Sequence, residues 1–74
     1  MAGKLTERAK IDLENEIDHF GLARVLECIR DIALEKSLHI AENWQDAATA
    51  QCWMKAAHAI ERAANTSADY IGRH

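Results

Sequence analysis

A chain of 74 residues with a net charge of −3 makes at most one small domain, and its acidic balance argues against a nucleic-acid-binding face. A chain this short buries only about 60% of its unfolded surface, so disulfides, a metal or a partner subunit usually supplement its core. No apolar run reaches membrane-spanning length, and Met1 to Lys10 lacks the apolar centre of a signal peptide. The two cysteines have no Cys-x-x-Cys spacing, so two reduced thiols in the cytoplasm are expected.

Proline is absent and aromatics are only 5% against 49% apolar residues, a composition that reads as all-α. One domain over 1–74 is expected, frayed at 1–5 and 72–74. The first helix is placed at about 6–20. Thr6 is its cap, Glu7 suits its N-terminus, and Ala9, Leu13, Ile17 and Phe20 recur on one side. Gly21 suits a left-handed position that would stop it.

The second helix is placed at about 22–42. At 100° per residue, Leu22, Leu26, Ile29, Ala33 and Ile40 form one stripe, which Lys36 and Ser37 interrupt. A second strip, Leu34, Leu38 and Ala41, lies on another side. A helix with two apolar strips needs two neighbours.

Asn43-Trp44-Gln45-Asp46 is the expected turn, with Asn43 ending one helix and Asp46 capping the next. The following stripe, Ala50, Trp53, Ala57, Ile60 and Ala64, lies about 140° from where a continuous helix would carry it. That phase shift predicts an antiparallel hairpin, and proline should be tolerated far better at Gln45 than in mid-helix at Ala56. The third helix, at about 47–64, also carries a small-residue strip of Cys52, Ala56, Ala59 and Ala63, which lets another helix approach closely, and Thr66-Ser67 either ends it or starts one more turn through Asp69, Tyr70 and Ile71.

The expected core is therefore Leu22, Leu26, Ile29, Ala33, Ile40, Trp53, Ala57 and Ile60. The expected interface is Leu34, Leu38, Ala41, Trp44, Cys52, Ala56, Ala59 and Ala63. In the hairpin, position 36 faces about 53, which sets the Lys36 ammonium over Trp53. Cys28 and Cys52 stand about 13 Å apart along the axis, beyond disulfide reach. His58 faces Glu27 and Asp31, with which it could pair.

Asp31, Glu35, His39 and Glu42 share one flank of the second helix, and such a ridge could ligate a divalent metal. Its plainer reading is a solvated acidic face. No nucleophile, base and oxyanion set is visible, and a small helical hairpin rarely encloses a pocket, so no catalytic residue is assigned. The expected function is a non-enzymatic interaction or scaffold module without a cofactor. It would associate with itself as an oligomeric helical bundle, or with another protein, and not with nucleic acid or a membrane. The alternative is a metal- or small-ligand-binding helical oligomer that uses the acidic ridge.

Overall fold

The computed structural model describes residues 5–71; of the segments expected to fray, 1–4 and 72–74 lie outside the described residues. Three helices follow one another: α1 Glu7–Phe20, α2 Leu22–Asn43 and α3 Ala47–Tyr70. Among the described residues no strand occurs, and no helix is long and apolar enough to cross a membrane.

The helix ends follow from side-chain chemistry. Thr6 Oγ1 accepts the Ala9 N–H at 3.1 Å and starts α1. Gly21 separates α1 from α2 alone, and its N–H donates to the Ile17 carbonyl at 2.7 Å. Its φ of 87° and ψ of 151° differ from the left-handed helical pair expected; this is an extended mirror-image conformation open essentially only to glycine.

At the hairpin tip, Asn43 Nδ2 donates to the His39 carbonyl at 3.0 Å, and α2 ends with it. Asp46 opens α3: its Oδ1 accepts the Thr49 N–H at 3.0 Å and its Oδ2 the Thr49 hydroxyl at 2.7 Å. These bonds, the backbone one foremost, hold the Asp46 carboxyl below its ordinary pKa. A depressed folded-state value means that the cap is fully present above the ordinary carboxylate range. It is lost as pH falls through the depressed value.

Helix α3 extends to Tyr70, beyond the expected end at Ala64. Thr66 does not cap a stop there, because its hydroxyl donates back to the Arg62 carbonyl at 3.0 Å inside the helix. The inward positions also continue, with Ala64 and Ser67 both buried.

Helices α2 and α3 pack antiparallel. Ser37 meets Ala50, Lys36 meets Trp53 and Arg30 meets Glu61, so the partner number rises as the α2 number falls. Burial follows alternating steps of three and four, the period of a coiled-coil seam. On α2 the inward positions are Ala23, Leu26, Arg30, Ala33, Ser37 and Ile40; on α3 they are Ala50, Trp53, Ala57, Ile60, Ala64 and Ser67. The fully inward residues are all small: Ala23, Ala33, Ala50, Ala57, Ala64, Ser37 and Ser67. Among the described residues no large side chain is fully buried.

That result moves the α2 core from where the large residues alone place it. Of the expected core, Ala33 and Ala57 are buried, whereas Leu22, Leu26, Ile40, Trp53 and Ile60 flank the seam half-buried. Ile29 is exposed. Ser37 does not interrupt the core but belongs to it, its hydroxyl donating to the Ala50 carbonyl at 2.8 Å. Ser67 Oγ, also buried, has no hydrogen-bond partner.

These two serines give opposite expectations. Ser37→Ala removes a satisfied buried bond and should lower stability by about 1 kcal/mol. Ser67→Ala removes an unsatisfied hydroxyl and should raise stability by about 1 kcal/mol. Denaturant melts of both variants decide it, and a shift of the same sign in both would contradict the seam.

The turn limits the tolerance expected of proline at Gln45. Gln45 has a φ of 53°, in the left-handed region. Proline locks φ at about −65° and cannot adopt it, so position 45 does not suit proline. Trp44 before it is helical in φ and ψ, a conformation that a following proline also disfavours. Gln45→Pro should therefore lower the melting temperature clearly, while Gln45→Gly should add about 0.5–1 kcal/mol by relieving a left-handed residue. A proline variant that melts with the wild type would contradict this turn.

Candidate interaction surface

The seam leaves large apolar side chains on the flanks of the hairpin, and of the exposed ones Leu13, Phe20, Ile29 and Ile32 collect on one side. Helix α1 lies against α2 on that side, buries none of its own residues, and leaves Leu13 and Phe20 exposed. Between α1 and α2 opens a groove of about 430 Å³ lined by Leu13, Phe20, Val25, Ile29 and Ile32, with Glu16, Arg24 and Cys28 at its edge.

A second groove, of about 390 Å³, continues from Ile32 across the seam to Ile40 and Trp53. Lys36 crosses it with its Nζ 5.9 Å from the centroid of the Trp53 ring, as the hairpin register predicts. Its aliphatic stem covers apolar surface while the ammonium rests on the indole face. Glu35 and His39 complete the lining. Beyond Trp53 a shallow concavity reaches Cys52 and Ala56. Ile32 and Trp53 are shared between neighbouring grooves, so the three form one continuous surface.

The opposite flank is polar where α2 and α3 meet. Arg30 donates to Asp31 Oδ1 at 2.9 Å and to Glu61 Oε1 at 3.4 Å, joining the two helices. The hydrogen bond with Asp31 raises the Arg30 guanidinium above its ordinary pKa, and Glu61 adds to it. Glu61 is thus an α3 group that reaches α2 by an ion pair, and Asp31, one of the two partners expected for His58, pairs with Arg30. Both pairs are solvated and contribute little to stability.

The expected metal ridge does not converge. Asp31, Glu35, His39 and Glu42 are all exposed, and among the described residues no three His, Cys, Asp or Glu side chains assemble to hold an ion. Asp31 Oδ1 is occupied by Arg30. His39 Nδ1 lies 3.0 Å from Asn43 Nδ2, an amide nitrogen that also donates to the His39 carbonyl. Nδ1 is therefore the acceptor of that amide and is engaged within α2.

Of the residues expected at an interface, Leu34 is half-buried, while Leu38, Ala41, Trp44, Cys52, Ala56, Ala59 and Ala63 are exposed. Cys52 and Ala56 border the continuous surface. Leu34, Leu38 and Ala41 project from the other flank of α2, judged at 100° per residue from Ile32. Trp44, 72% exposed, stands at the hairpin tip and does not plug it. Cys28 and Cys52 are free and exposed rather than buried as small hydrophobes. Sequence reasoning passed over Ala23, Arg30 and Ser37, whose spacing of seven was the available signal.

With two of the four ridge groups already engaged, millimolar zinc or manganese should leave the melting temperature unchanged. A rise that His39→Ala abolishes would restore the ridge as a site. Compared with protein-family models, curated proteins and solved structures, the chain matches none.

Proposed function

We propose that this protein is a non-enzymatic helical interaction module whose first partner is a second copy of itself. The carrying observation is the size of its exposed surface. A compact monomer of 8.3 kDa exposes about 4,600 Å² by the usual scaling of area with mass, whereas this chain exposes 5893 Å². Its shape agrees: the radius of gyration is 14.0 Å against about 11 Å for a compact chain of this length. The extents of 38 × 29 × 14 Å describe a slab one helix layer thick.

Stable domains stack two layers around a core, and here the second layer is missing from the single chain. The open grooves, shallow and crossed by Lys36, suit packing by another helix better than enclosure of a small substrate. A scaffold role follows from such an assembly, and two exposed thiols fit a reducing compartment such as the cytoplasm.

Sedimentation equilibrium at micromolar concentration tests the reading. A mass of at least twice the 8.3 kDa of one chain is expected. A folded monomer at all accessible concentrations would overturn it.

A further inference from the structure

Resting on the self-association proposed above, we infer that two copies stack face to face through the Leu13–Phe20–Ile29–Ile32–Trp53 side, across a two-fold axis. The area selects the occupant. The surplus of about 1,300 Å² per chain, taken from the 5893 Å² observed and about 4,600 Å² expected, lies within what each partner of an obligate homodimer buries.

The choice of face rests on where the apolar surface is continuous. The three grooves join through Ile32 and Trp53, running from Phe20 on α1 to Ala56 on α3. On the opposite flank, Arg30, Asp31 and Glu61 already satisfy one another across the hairpin and would have to be desolvated for stacking. Leu38 lies on that flank between the half-buried Leu34 and the exposed Ala41, a shorter apolar strip than the one that runs from Phe20 to Ala56.

Charge points to a copy rather than to an acidic or basic partner. The chain as a whole carries −3, yet the two main grooves are lined by two acids, Glu16 and Glu35, and two bases, Arg24 and Lys36. A balanced face is self-complementary under two-fold symmetry, where each residue meets a different one on the partner. Stacking also gives the slab its second layer, and α1 its missing cover, because Leu13 and Phe20 would then lie between two chains.

The test compares charges placed on the two flanks. Ile32 is 47% exposed and Leu38 58% exposed in the single chain, so glutamate at either position leaves the seam intact. Ile32→Glu should give a monomer with unchanged helical circular dichroism, whereas Leu38→Glu should keep the mass of two chains. Phe20→Glu on α1 provides a second variant on the same face, should Ile32→Glu lose helix content. In the wild type, labelling of Cys28 and Cys52, which border the grooves, should slow as concentration rises through the dimer range. An assembled wild type that Leu38→Glu dissociates, and Ile32→Glu does not, would overturn the face while leaving self-association in place. A wild type that stays monomeric would overturn both.

Discussion

The close antiparallel contact of α2 with α3 constrains everything else in this molecule. Alanine at Ala50, Ala57 and Ala64, one per heptad, faces Ala23, Ala33 and Ser37 on the other helix. Small residues let two helices approach near the short end of the usual interaxial range of about 8–10 Å. Such a seam is specific, because a larger side chain at its centre forces the backbones apart. It is also poor in buried apolar area, because each alanine removes little hydrocarbon from water. Specific geometry and weak burial arise from the same residues.

The directional information needed to form that seam sits at two short breaks. Gly21 turns the chain between α1 and α2 in a conformation essentially reserved for glycine, and Gln45 with the Asp46 cap reverses the chain at the tip. Ser37, in the second-last turn of α2, then ties the hairpin with its bond to Ala50 at the start of α3. Since Ser37 is buried, that bond is shielded from water and fixes register where an all-alanine seam could slide by one heptad.

Helix boundaries and hairpin topology were legible because they depend on local chemistry: capping at Thr6 and Asp46, and a phase change across Trp44. The register was legible as well, and with it the Lys36–Trp53 contact. The centre of the seam was not. Weighting large apolar residues selects Leu22, which ends half-buried, and Ile29, which ends exposed, while Ala23 and Ser37 carry little hydrophobic signal. The end of α3 stayed open between Ala64 and one more turn for a related reason. Thr66 and Ser67 have poor helix propensity, and tertiary packing of Ser67 together with back-bonding by Thr66 overrides it. For the metal ridge, spacing was read correctly, but competing partners for Asp31 and His39 cannot be seen from spacing alone.

Displacement of the large residues links the fold to the proposed assembly. A seam of alanines leaves Ile29 and Ile32 exposed on one flank beside the half-buried Trp53, where α1 covers only part of them, and a one-residue connector at Gly21 keeps α1 close to α2 rather than across α3. Purely apolar faces stack in many registers with similar energy. Lys36 breaks that degeneracy, since its ammonium, held over Trp53, must meet an acceptor or remain on the indole whenever a second layer closes over it. Under the proposed two-fold stacking, Glu35, its neighbour in the same groove, would be the acceptor that a second chain offers. In such an assembly the apolar residues would supply the attraction and the charged pair the alignment, the division of roles that buried polar groups perform in helical bundles.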